Sequence, residues 1–230
     1  MLTRFYNIIF CLIFSATVCA QQNFAGRVLN EKDDTPLSGA SIYINNTSIG
    51  SISNDKGEFF ISNAISGDVI ISSIGYERLV FKLNTKEAAG KWFVFKLAKK
   101  ETMLTDVLIL PDATRKRFLR LFTENFLGIT EEADMSKITN LNAINFANPN
   151  EKYAIKAYSD TPLIIVNKKL GYTIKFELVD FYFNENTGQS SFYGYTRYEE
   201  MGDKKRWKKN REKAYYGSTL HFFRSLINNE

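Results

Sequence analysis

Few residues in this chain can do chemistry, and their types exclude more than they suggest. There is one histidine, His221, and there are two cysteines, Cys11 and Cys19. A catalytic zinc site usually takes three protein ligands, commonly two or three of them histidines, so the usual zinc hydrolase sets cannot be built. His221 lies in the patterned stretch 216–223, where a packed or capping role outweighs that of a lone general base. Neither a G-x-S-x-G elbow nor a G-x-x-x-x-G-K phosphate loop occurs. The carboxylate pairs Glu131-Glu132 and Glu199-Glu200 are sequence neighbours, which point apart on a strand and diverge on a helix. Solvated faces explain both. A more distant pair such as Asp160 and Asp180 would have to be assembled by the fold before carboxylates alone could hydrolyse anything. The sequence thus marks no catalytic residue, no metal ligand and no cofactor site.

Both cysteines fall in a segment with an address rather than a structure. Met1–Ala20 carries one early charge, Arg4, then an apolar run from Phe5 to Val18, and closes on Val18-Cys19-Ala20. This is the pattern of a cleaved signal peptide, and the run is too short for a comfortable membrane span. Cys19 follows Val18 and Cys11 follows Phe10, whereas lipidation needs a small residue before the cysteine. With residues 1–20 removed, the mature chain has no cysteine, which excludes a disulfide scaffold and a thiol nucleophile. Loss of Arg4 leaves 29 basic against 25 acidic residues, a mild excess that names no partner. The expectation is export to the periplasm or the outer membrane.

The elements that must carry any site are strands first. With 44% hydrophobic and 14% aromatic residues, the 230-residue chain is long enough for one large or two small packed domains. From residue 23 to about 98, short apolar runs alternate with turn residues such as Asn30–Asp34, Asn45-Asn46, Asn54–Gly57 and Ser66–Asp68. Leu79, Phe81 and Leu83 share one phase, as do Phe93, Phe95 and Leu97, and no helix is demanded. Period two with a turn about every ten residues predicts an antiparallel sandwich.

Five short pieces then occur in order: Gly26-Arg27-Val28, Pro36–Ile42, Gly50, Asn54–Phe59 and Ile71–Tyr76. Pro36 and Gly39 shape a turn into the strand of Ala40, Ile42 and Ile44. Asp55 and Gly57 suit a tight hairpin, with Gly57 at positive φ. Phe59 and Ile61 share the inward face, and Gly75-Tyr76 makes a strand-end turn with an aromatic plug. Together these pieces closely resemble the carboxypeptidase-like regulatory domain, also called carboxypeptidase D regulatory-like. The resemblance implies a seven-stranded antiparallel β-sandwich of transthyretin-like, Ig-like type over residues 21–98. In the metallocarboxypeptidases behind the name, the zinc ligands belong to a separate catalytic domain, so no catalytic residue carries over. It implies an envelope interaction or scaffolding module instead. Related sandwiches precede TonB-dependent outer-membrane transporters, whose plug and barrel need far more chain than this.

Residues 99–111 read as a closing strand, Leu104–Leu110, and a linker that Pro111 breaks. Residues 112–230 form an α+β region, so the whole chain is mainly β with helices. Asp112 is the expected N-cap of a helix whose stripe is Phe118, Leu119, Phe122, Phe126 and Leu127, stopped at Gly128. Arg115, Lys116, Arg117 and Arg120 form its solvated face. A short helix starts at Thr130, with Glu131 and Glu132 in its first turn. Strands are expected at 153–158, 163–167, 170–183 and 190–198, too few for a membrane barrel. Tyr172, Ile174, Phe176 and Leu178 lie in one phase and Val179, Phe181 and Phe183 in the other, which predicts a bulge or a sheet covered on both sides. Glu185–Gly188 is the hairpin turn. Residues 126–172 and 206–226 resemble a region that follows this sandwich in some exported Gram-negative envelope proteins. It has no established activity, and those chains run on further, which implies a last helix short of a packing partner.

Seven Lys or Arg stand in the ten residues Lys204–Lys213, around Trp207. Export argues against nucleic acid. The main expectation is a buried face of Trp207, Ala214 and Tyr215 with the charges in water. Peripheral contact with anionic lipid or an acidic partner, through Lys204, Lys205, Arg206, Lys208 and Lys209, is the other. The functional expectation is a non-enzymatic envelope protein that binds a protein or glycan partner through its sandwich. Its sandwich-end loops 30–36, 45–50 and 54–57 are the surfaces to look at first. The alternatives are an accessory to a TonB-dependent uptake system, or a hydrolase as the family label suggests. Oligomeric state is not legible.

Overall fold

The computed structural model of the protein describes residues 22–100, 108–129, 131–147 and 151–228. The expected signal peptide, Leu104–Val107 of the expected closing strand, and Thr130 lie outside the described residues.

Seven strands build the N-terminal half: β1 (Phe24–Asn30), β2 (Ser41–Ile44), β3 (Gly50–Ile52), β4 (Glu58–Ile61), β5 (Gly67–Ser72), β6 (Leu79–Leu83) and β7 (Trp92–Leu97). They form two sheets, β4-β1-β7 and β3-β2-β5-β6, packed as the Ig-like sandwich the sequence predicts. Alternation supplies the core. Phe24, Val28, Phe59, Ile61, Phe95 and Leu97 come from one sheet and Ile42, Ile44, Val69, Ile71 and Leu83 from the other. Phe24 sits 5.3 Å from Phe59 and 5.1 Å from Phe93, ring centre to ring centre, and Phe81 sits 5.2 Å from Phe95. Gly57 takes φ +73°, and a Cβ there would come 2.4 Å from the Val28 carbonyl oxygen.

Two details differ from the expectation. β1 and β7 pair in parallel, Gly26 opposite Phe93 and Val28 opposite Phe95. β7 reaches β1 after crossing from the other sheet, so no tight hairpin obliges it to run antiparallel. That crossing contains one helical turn, α1 (Thr85–Ala88), capped by the Asn84 side chain, which accepts from the Lys86 amide. Its only buried residues are Thr85 and Ala88, too short a pattern for periodicity to reveal.

In the second half, α2 (Asp112–Leu127) starts one residue before the expected cap position takes effect. Pro111 is the N-cap, without a side-chain bond, and Asp112 is the first helical residue, where its charge favours the helix N-terminus. Gly128 ends the helix at φ +84°. The short α3 (Glu131–Asp134) follows. Leu108–Leu110 are not in a strand; the Leu108 amide donates to the Phe146 carbonyl of the second domain.

Six strands form one antiparallel sheet: β8 (Ser136–Ile138), β9 (Ile144–Ala147), β10 (Ala154–Ser159), β11 (Leu163–Asn167), β12 (Tyr172–Asn184) and β13 (Ser190–Glu200). β8 and β9, of three and four residues, are too short for the alternation that exposed the others. The long β12 carries β11 and then β10 along one edge and β13 along the other. The register of β12 against β13 shifts between Leu178 and Asp180, so the phase change is a bulge. It returns Phe181 and Phe183 to the face of Phe176 and Leu178, and all four join the core under α2. Phe122 of α2 meets Phe181 at 4.6 Å and Phe126 meets Phe176 at 5.0 Å.

The chain closes with α4 (Lys205–Tyr215) and α5 (Thr219–Asn228). Trp207 is buried, as expected, but Ala214 is exposed. The inward face is instead Trp207, Asn210 and Arg211, at helical spacing, because its target is a row of carbonyls rather than apolar surface. Trp207 Nε1, Asn210 Nδ2 and Arg211 Nε donate to the Lys168, Lys169 and Leu170 carbonyls, and Arg211 Nη2 donates to that of Gly171.

Candidate functional site

The four-stranded sheet of the sandwich is buried on both faces. Ile42 and Ile44 of β2 and Val69 and Ile71 of β5 point into the sandwich core, so Tyr43 and Ile70, opposite each other in register, point outward. Both are nonetheless fully buried. The second domain covers them with the face of its sheet opposite α2.

At the centre of this junction stands Glu177 of β12, one residue before the bulge region, 6% exposed. Its Oε1 accepts from the Tyr43 hydroxyl at 2.9 Å and the Ser72 hydroxyl at 2.8 Å. Its Oε2 accepts from Arg78 Nε at 2.5 Å. All three donors belong to the sandwich. A carboxylate removed from water is tolerable only when paired and hydrogen-bonded in this way. Burial, then the Glu177 charge, pushes the Tyr43 hydroxyl well above its ordinary pKa, so it stays protonated and donates. Arg78 also lies 5.1 Å over the Tyr195 ring. Burial, helped by the hydrogen bond from Tyr193, pushes Tyr195 up to about 12.

Backbone reinforces the side chains. Thr196 donates to Asn45 Oδ1 and accepts from the Asn46 amide, and the Tyr198 amide donates to the Thr47 carbonyl. Arg197 Nη1 donates to Ser41 Oγ at 3.0 Å. The loop 45–50 is therefore occupied by β13 of the same chain and is not a free sandwich-end surface. At the other end of the junction Lys100 Nζ pairs with Asp160 Oδ1 at 2.7 Å.

Between these ties the domains leave a cleft of about 1550 Å³. The sandwich side supplies the 72–78 loop and Ala98–Lys100; the other side supplies β10, the loop after it, and Lys175, Glu177, Val179 and Asp180 of β12. Ile74 and Ile52 are exposed at its wall, Ile74 by 81%. Arg78, Lys100, Lys175 and Arg197 are tied to carboxylates, whereas Lys99 and Lys156 have no ion-pair partner among the described residues. Asp160 and Asp180 both line the cleft. Asp160 is held by Lys100 and by Asn145 Nδ2, which fits a structural carboxylate better than half of an acid–base pair. Glu177 is likewise saturated by its three donors. Among the described residues no group of three His, Cys, Asp or Glu is placed to hold a metal.

His221 lies outside this site, in α5. Its Nδ1 accepts from the Gly217 amide at 3.4 Å and its ring meets Tyr215 and Tyr216, the capping role the sequence suggests. The basic face of α2 splits. Arg115 donates to the Ile144 carbonyl, Arg117 pairs with Glu185, and Lys116 and Arg120 stay exposed. The sequence reading missed Glu177 altogether. Its signal was there: Ile42-Tyr43-Ile44 and Val69-Ile70-Ile71 are continuous apolar runs, the mark of strands covered on both faces.

Residues 24–109 match the family model described as the CarboxypepD_reg-like domain. The N-terminal sandwich is a β-sandwich domain of that type. A crystal structure of a DUF3823 family protein from Bacteroides ovatus ATCC 8483 is similar over 80% of this chain and 82% of that one, at 9% identity and a TM-score of 0.24. So low a score carries no argument about fold or function. No curated protein matches the chain.

Proposed function

We propose that this is a non-enzymatic, exported interaction module that takes an envelope protein or glycan in the cleft between its sandwich and its α+β domain. The observation that carries the reading is the cleft itself. At about 1550 Å³ it exceeds small-molecule pockets, which run to about 1,000 Å³, and suits an extended segment of a larger partner. Its wall carries exposed Ile52 and Ile74, apolar surface for a partner to cover, beside Lys99 and Lys156, which have no ion-pair partner among the described residues. The Glu177 and Asn45 ties hold the walls at a fixed separation, so little ordering cost accompanies binding. Site-specific photo-cross-linking in cells tests this. A photoreactive residue at Ile74 or Lys156 is expected to capture one stoichiometric partner, while one at Lys116, on the exposed face of α2, is not. An outer-membrane transporter as that partner would narrow the role to uptake. Folded protein that captures nothing from either cleft position would end the proposal.

A further inference from the structure

Separately from the cleft, we infer that α4 and α5 form a docking element for an anionic lipid surface. Leu220, Phe222, Phe223, Leu226 and Ile227 of α5 are each more than half exposed, Ile227 by 78%. At about 3.6 residues per turn they fall within roughly half the helix circumference, and His221, Arg224 and Ser225 occupy the other half. A surface helix of a water-soluble domain turns its apolar face inward. Here the polar side makes the contacts to the rest of the chain, although Arg224 on it stays exposed. The His221 ring packs 5.1 Å from Tyr215, and the Arg224 guanidinium lies 5.8 Å from the same ring, so the α4 end holds α5 by its polar edge.

Charge decides what covers the apolar face. α4 is anchored by Trp207, Asn210 and Arg211, which leaves its remaining basic residues exposed. Lys208 pairs with Asp203, but Lys205, Lys209 and Lys213 have no ion-pair partner among the described residues. A second copy of the chain would bring a like-charged helix toward this one. A bilayer with anionic headgroups offers apolar depth for α5 and negative charge for α4 together, the pairing that defines interfacial helices. No helix among the described residues is long and apolar enough to cross a membrane, so the contact is peripheral.

Co-flotation of the full chain with phosphatidylcholine vesicles, with and without phosphatidylglycerol, tests the inference. The anionic vesicles are expected to bind at least tenfold more protein, with the excess lost in high salt. Because Met1–Ala20 is itself apolar, the decisive comparison is between variants of the same chain. F223S/L226S, at exposed positions, is expected to reduce anionic-vesicle binding at least tenfold with the near-UV spectrum unchanged. K205E/K209E is expected to abolish the preference for phosphatidylglycerol. Equal binding to both vesicle types, or unchanged binding by both variants, overturns the inference. So does a lipid-free dimer that F223S/L226S dissociates, which would assign the face to a second copy.

Discussion

The Tyr43 hydroxyl donates to Glu177 Oε1 across 134 residues of sequence, from the sandwich to the middle of the second domain's longest strand. Tyr43 is 1% exposed and Glu177 6%, so the contact sits in a medium where neither group has water as an alternative. One carboxylate thereby collects Tyr43, Ser72 and Arg78 from two strands and a loop of the sandwich. The separation of the cleft walls follows from this arrangement.

Removing the carboxylate should be expensive. Glu177→Ala strands the Arg78 charge and two hydroxyls, and truncating one partner of such a pair costs about 3 kcal/mol or more. The expected fall in midpoint temperature is roughly 6–12 °C for a chain of this size, read by calorimetry. Glu177→Gln should recover only part of it, because the amide accepts on one side and cannot pair the guanidinium. If both variants melt with the wild type, the junction does not contribute to stability.

Alkaline pH should reveal Tyr43 directly. Burial first, and the Glu177 charge second, raise its pKa above the ordinary value of 10.0. Above that pH the unfolded chain gives up the proton while the folded chain keeps it, so the tyrosine's contribution is whole below pH 10 and declines as pH rises. The slope is about 1.4 kcal/mol per pH unit for one group. Tyr198, also raised by burial, adds to it. Urea titrations from about pH 9 to 11 should show Tyr43→Phe less stable at the lower end, with a slope shallower by about one proton. Parallel slopes in the two proteins would place the titration elsewhere.

How legible this was in the sequence depended on length of pattern. Most of the sandwich strands span four to seven residues between turn residues, and the order of five motif pieces pointed to the same fold. The switch from Leu178 to Val179 and Phe181 pointed to a bulge or a two-sided cover, and the register shift between Leu178 and Asp180 makes it a bulge. β8 and β9 offered too few residues to show a period. The direction of β7 against β1 is a property of the crossing, which no local pattern encodes. Glu177 was invisible for a different reason. A single acidic residue in an apolar strand looks like any solvent-facing position, and only the two-sided burial of Ile42–Ile44 and Val69–Ile71 says that the facing sheet has a cover.

Gly171 is the tightest point under α4. It takes φ +70°, and a Cβ there would lie 2.2 Å from the Trp207 ring. Gly171→Ala should cost about 3 kcal/mol, combining backbone strain with displacement of the indole, and shift Trp207 emission to the red. Gly188 makes the control. It has the same φ of +70° with nothing within 4 Å of the added Cβ, so Gly188→Ala should cost only about 1 kcal/mol and leave the emission alone. Equal losses would mean that α4 yields freely, and would weaken the case for its four carbonyl contacts.

The junction should also couple the unfolding of the two domains. Each carries one of the chain's two tryptophans: Trp92, 57% exposed on β7, and Trp207, buried under α4. In the intact chain, total fluorescence, the Trp207 signal isolated by Trp92→Phe, and far-UV circular dichroism should report one denaturant midpoint, as a two-state unit requires. Glu177→Ala combined with Asn45→Ala removes the buried carboxylate and the side chain that accepts from the Thr196 amide. The probes should then diverge, with Trp207 following the second domain alone. Two separated transitions already present in the intact chain would show that the domains touch without sharing stability, and that the cleft between them is free to change width.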